Sequence, residues 1–128
     1  MSPEECIAAL DNALAEAGEN VILRRLSGAG SNVVNVDVTC RAQVRNWRLK
    51  EEVLVAEFRQ AIMLVIISPT DIAKAQWPGG VVPGQTVDPS IPRRNDKLVI
   101  KGRLYNIEAC EAIAMNGVNV RFEMQALG

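Results

Sequence analysis

The sequence predicts a mainly β fold of the α+β kind: a small antiparallel β-barrel or sandwich of about six strands with an N-terminal helix and long protruding loops. Three observations carry that expectation. From Val34 to Val44 every even position is apolar and every odd position polar, the period of a half-buried strand. A second alternating stretch fills the C-terminal third and changes parity at Gly102 and again at Asn116-Gly117, as two hairpins would make it do. Residues 2–18 carry helical apolar spacing with signals at both ends.

The helix is bounded by Ser2 as N-cap, Pro3 at the first helical position, Glu5 to complete a capping box, and Gly18 as its stop. Cys6, Ile7, Leu10, Ala13, Leu14 and Ala17 form its stripe, which can pack on the parent domain or dock on a neighbour. Asn20 to Ser27 reads as a first strand, and the Gly/Ser-rich "SGAGSN" as its connection to the next. On that second strand Asn35, Asp37, Thr39, Arg41, Gln43 and Arg45 make a solvated face or a polar interface, with Arg41 and Arg45 suited to acidic partners. Trp47 falls on the polar parity, so either a bulge returns it to the core or it is displayed to a partner.

Residues 48–60 fit neither period and read as a long loop, whose Leu49, Val53 and Phe58 are interface candidates. Ala61 to Ser68 is a continuous apolar run of strand length, expected to be buried on both faces. A short helix capped by Thr70 or Asp71 then leads to Trp77, read as a lid on one end of the core. Residues 78–92 hold four of the six prolines and read as an irregular extended loop.

With Gly102 and Arg103 as the central turn residues, Ile100 faces Tyr105 and Leu98 faces Ile107. With Asn116-Gly117 as the second turn, Met115 faces Val118, Ile113 faces Val120 and Ala109 faces Met124. That register puts Tyr105, Ile113 and Phe122 on one face and leaves one misfit, Glu111, on the apolar side opposite Phe122.

A length of 128 residues is one domain, 1–128, with the helix at 2–18 and a β-core over 20–126 that carries loops at 47–60 and 78–95. The longest apolar run is too short to cross a bilayer and the N-terminus is acidic, so no membrane partner and cytoplasmic synthesis are expected. Cys6, Cys40 and Cys110 are odd in number and widely spread, which favours reduced core thiols. Histidine is absent, which removes the commonest general base and metal ligand, and no nucleophile motif is present. The expectation is therefore not an enzyme, with no cofactor and no metal.

The order "VRNW", a long charged loop, an apolar strand ending "ISPTDI", and then "PRRNDKLVIKGRLYNIEA" resembles the small head-tail joining proteins of long-tailed bacteriophages, also called head completion, neck or connector proteins. The likeness runs from about Val21 to Ala109, and its sharpest part is the proline-introduced turn with Asp96, the Gly102 hairpin, and Tyr105 with Ile107 on the returning strand. Asn95 stands where that pattern commonly has glycine, and Asn accepts a left-handed backbone comparatively well. The loop over 78–92 is also longer than the pattern leads one to expect.

The resemblance implies a structural virion protein that forms a homo-oligomeric ring at the neck. A portal or adaptor protein would lie above it and a tail terminator or tail-tube protein below, with genome DNA passing through the channel without sequence-specific binding. Assembly would occur in the host cytoplasm. Arg93 and Arg94, with Lys97, form the densest basic cluster and read either as a solvated turn or as an ion-pair contact with the portal or a neighbour. Trp47, Leu49, Val53, Phe58, Arg93 and Arg94 are the candidate interface residues. The rival reading is a small barrel that binds single-stranded nucleic acid, against which stand an aromatic content of 4% and a net charge of −1.

Overall fold

Ser2 caps helix α1 (Pro3–Ala17) as its position suggests: its hydroxyl accepts from the Glu5 N–H at 3.2 Å and the Glu5 carboxylate accepts from the Ser2 N–H at 3.2 Å. The protein is seen in a computed structural model that describes residues 2–28, 30–46, 62–79 and 89–128. Within α1, Leu14 is buried and Cys6, Ile7 and Leu10 are half-buried, whereas Ala13 and Ala17, expected on the same stripe, face solvent.

Six strands follow: β1 (Glu19–Ser27), β2 (Val34–Asn46), β3 (Ile62–Ile67), β4 (Lys97–Ile100), β5 (Arg103–Met115) and β6 (Val118–Leu127), with a short helix α2 (Thr70–Ala75) after β3. They close into an antiparallel barrel in the order β1-β2-β3-β6-β5-β4. Leu23, Ile67, Leu98, Ile107 and Met124 are fully buried inside it. Each such side chain contributes about 1.5–3 kcal/mol on leaving water. One end of the barrel carries the β1–β2 connection, α2 and the Asn116-Gly117 turn; the other carries Glu19, Asn46, the β4–β5 turn and the C-terminal Gly128.

Because β3 stops at Ile67, opposite Ala42 and Phe122, β2 and β6 run on beyond it. The helices use those strands: α1 packs on β2 and β6, and α2 packs on β2. The outer face of β3 is therefore left partly open. On the inner face Val65 and Ile67 are buried and Met63 half-buried, while Ile62, Leu64 and Ile66 on the outer face are only half-buried, so the strand expected to be buried on both faces is covered mainly on one.

Arg41, expected to meet acidic partners, is instead taken up by the end of α1. The last turn of α1 contains no basic residue. Arg41 supplies the charge from β2: its Nε donates to the Leu14 carbonyl at 3.0 Å and its terminal nitrogen to the carbonyls of Ala15 at 3.2 Å and Gly18 at 2.8 Å. The Ala15 carbonyl is one of the orphan acceptors of the helix end, the Leu14 carbonyl also accepts from the Gly18 N–H at 2.9 Å, and the guanidinium meets the negative pole of the helix dipole. Gly18 permits the approach, since a Cβ there would meet the Leu14 and Ala42 carbonyl oxygens at 2.5 and 2.8 Å. Arg41 thus serves the fold and is not free for an acidic partner. Replacing it by Ala should cost about 1–2 kcal/mol and speed amide exchange over residues 14–18; lysine should recover only part, because it cannot fork across several carbonyls.

The two C-terminal hairpins exist, with altered pairing. The first turn is Lys101-Gly102, both left-handed at φ 52° and 81°, so it is a type I′ turn and not a II′ turn on Gly102-Arg103. Leu98 consequently faces Tyr105 and Ile100 faces Arg103. The slide moves each partner by two residues, which preserves parity, and Leu98, Ile100, Tyr105 and Ile107 are all buried.

The second turn is at Asn116-Gly117, and Met115 faces Val118 as expected. Beyond it Val120 is an extra residue in β6 and Glu108 an extra residue in β5, so two bulges reverse the parity of the segment between them. Ile113 pairs with Arg121 and Ala109 with Gln125, while Cys110 and Ala112 face Met124 and Phe122. Ile113 is therefore on the opposite face from Tyr105 and Phe122, contrary to the register read from the turns alone. The reversal accounts for Glu111, which lies exposed opposite Glu123 on the outer surface. Leaving that carboxylate inside, against Phe122, would cost several kcal/mol.

Candidate interaction surfaces

The inward parity of β1 runs Val21, Leu23, Arg25, so a guanidinium ends up inside the barrel. Its Nε donates to Asp96 Oδ1 at 3.0 Å and a terminal nitrogen to Asp96 Oδ2 at 2.7 Å, with both side chains more than nine-tenths buried. The remaining donors reach the carbonyls of Pro89 and, at 3.2 Å, Ile91. Trp77 closes the group: its ring lies 4.5 Å from the Arg25 guanidinium and its Nε1–H donates to the Val36 carbonyl at 2.8 Å. Trp77 is buried and is the lid on the core that its position suggested. One arginine at the end of an alternating strand carries no local sign that its partner lies 71 residues away.

Asp96 also accepts from the Arg93 N–H at 3.0 Å, and the Asp96 N–H donates to the Arg93 carbonyl at 3.1 Å. Asn95 between them adopts φ 76°, the left-handed conformation for which asparagine substitutes for glycine. Arg93 and Arg94 therefore sit on a turn anchored to the buried ion pair, with both side chains exposed. Arg94 is 74% exposed and its Nε lies 3.9 Å from a Glu108 oxygen, a contact too solvated to hold it. Trp47, Leu49, Val53 and Phe58 lie outside the described residues.

Among the described residues, the exposed large apolar side chains are Leu26, Val33, Val34, Leu104 and Val118. All but Leu104 lie at the tips of the β1–β2 and β5–β6 hairpins, which project at the same end of the barrel. Val34 is 61% exposed. At the other end a cavity of about 280 Å³ is walled by Val44, Met63, Ile100 and Tyr105, with Glu19, Lys101 and Arg103 at its rim. Arg103 stacks 5.3 Å from the Tyr105 ring and donates to the Gly128 carbonyl at 2.7 Å.

Among the described residues no three His, Cys, Asp or Glu side chains converge as metal ligands, and no helix is long and apolar enough to cross a membrane. Burial, then the nearby Asp71, pushes the Cys40 thiol up to about 12, and burial, then Asp96, pushes Cys110 up to about 11. Both are protonated and poor nucleophiles at neutral pH. Iodoacetamide at pH 8 should leave Cys40 and Cys110 unmodified in the native protein and alkylate them on unfolding, as read by intact mass. The stability linked to these thiols is full below their unfolded value of 9.0 and is lost as the pH rises toward about 11 and 12. No family model and no curated protein matches the chain.

Proposed function

We propose that this protein is a structural connector of a bacteriophage neck, a ring-forming subunit that joins the portal of the filled capsid to the tail. The observation that carries the reading is the concentration of exposed apolar residues, Leu26, Val33, Val34 and Val118, on two hairpin tips at one end of a closed barrel. Such residues on projecting tips suit insertion between the subunits of a preformed ring, where burying them repays their exposure. The opposite end, with its charged rim and small cavity, would face the tail terminator or tail tube. Genome DNA would pass through the channel, and the subunit would do no chemistry on it.

The rival reading, a single-stranded nucleic-acid binder, needs aromatic faces on which bases can stack. Trp77, Tyr105 and Phe122 are all buried, which removes them from that task.

Purified protein mixed at saturating concentration with portal particles, and imaged by electron cryomicroscopy, should add ring-shaped density to the portal. The Val34→Asp/Val118→Asp variant should bind at least tenfold more weakly while its unfolding midpoint changes little, since both sites are exposed. Absence of ring density with the wild-type protein, or a salt-dependent affinity for single-stranded DNA in its place, would remove the connector reading.

A further inference from the structure

The walls of the barrel on opposite sides carry opposite charge. Helix α1 contains Glu4, Glu5, Asp11 and Glu16 and neither Lys nor Arg. Glu4, Glu5 and Glu16 are exposed. The helix lies on β2 and β6, the two neighbours of β3. Glu111 and Glu123, directly opposite each other on β5 and β6, add two more carboxylates, one of them balanced by Arg121 at 3.3 Å. Like charges in that relation are unfavourable within the monomer.

In the closed strand order β4 stands three places from β3, on the far side of the barrel. There Arg93, Arg94 and Lys101 are exposed and Lys97 half-buried; the one acid in residues 93–103, Asp96, is buried with Arg25, and Glu108 lies 3.9 Å from Arg94. Between the basic groups runs an outward apolar row, Ile22 paired with Val99 and Val99 with Leu104, the last 52% exposed. The spacing of the two walls also agrees. Glu4 and Glu16 lie ~18 Å apart along the helix, and Arg94 and Lys101, at the two ends of β4, roughly 15–20 Å apart.

We infer that the chain associates with a second copy of itself head to tail, the basic β4 wall of one copy docking on the acidic α1 wall of the next. The inference rests on the connector reading only for its biological setting. Because the two patches differ and face away from each other, the contact is heterologous, the pair keeps one patch of each kind free, and repetition builds a ring if the rotation closes. Leu104, Val99 and Ile22 supply the apolar centre and the charges set direction, so that two like walls repel. Arg93 and Arg94 then belong to the contact between copies.

The test is sedimentation velocity of the full chain over a concentration series at low and high salt. Concentration-dependent association that weakens with salt is expected. Arg93→Glu/Lys101→Glu should weaken it at least tenfold, as should Glu4→Arg/Glu16→Arg. An equimolar mixture of those two variants should recover a complex, limited to dimers, because only one wall of each partner remains competent. Unfolding midpoints should stay close to wild type, since the altered side chains are exposed. Wild-type protein that stays monomeric at low salt, variants that associate as well as wild type, or a mixture that fails to pair would each overturn the inference. The portal experiment is separate: salt-dependent pairing without density on the portal would leave this contact standing and remove the connector role, whereas a portal ring formed equally well by Arg93→Glu/Lys101→Glu would do the reverse.

Discussion

Asp96→Ala is expected to lose about 3–5 kcal/mol, the usual cost of stripping one partner from a buried ion pair. The Arg25 guanidinium would remain inside the barrel with only the carbonyls of Pro89 and Ile91 as acceptors, and the turn at Arg93–Asp96 would lose its side-chain anchor at the Arg93 N–H. By the size scaling of small domains, the unfolding midpoint should fall by roughly 10–20 °C. The attraction between the two charges does not by itself measure what the pair contributes. Arg25→Met/Asp96→Leu removes both charges and should be closer to wild type than Asp96→Ala, so a double-mutant cycle in urea would show strong non-additivity. Additive losses would mean that the two groups do not interact as the 2.7 Å contact indicates.

Trp77→Ala is expected to cost about 3–5 kcal/mol through lost burial and the cavity left behind. Its effect reaches further than packing. The indole N–H satisfies the Val36 carbonyl, and the ring covers the Arg25 guanidinium, so its removal opens a buried charge to water. Trp77→Phe should restore roughly half of the loss, since it keeps an aromatic face while leaving Val36 without that donor. Because Trp77 and Arg25 touch, Trp77→Ala should lose less stability when introduced into Arg25→Met/Asp96→Leu than into wild type. Equilibrium denaturation of the four proteins supplies the comparison.

How far the fold could be read depended on the range of the interactions. The helix N-terminus was legible because Ser2, Pro3 and Glu5 act on one another within a single turn. Both hairpins were legible because a turn needs only its own residues. Their pairing was less so: whether the turn centres on Lys101-Gly102 or one residue later depends on the twist of the strands it joins. The bulges at Glu108 and Val120 had one local sign, the misplaced Glu111, which can be moved outward only by adding a residue to one strand. The candidate surfaces divided similarly. Arg93 and Arg94 were visible as a cluster, whereas the acidic helix lying opposite them was not, because sequence order says nothing of which wall a helix covers.

The amino-acid order by itself determined a β-rich fold with a capped N-terminal helix, the alternation of β2, two C-terminal reversals, and a basic turn before β4, since each follows from residues within a few positions of one another. Closure of the sheet, the pairing of Arg25 with Asp96, the use of Arg41 to finish α1, and the separation of charge onto opposite walls were decided by the tertiary structure alone. The physical reason is that a buried charge or an unfinished helix end is stabilised by whichever group the closed barrel brings alongside it, and that group can stand anywhere in the chain.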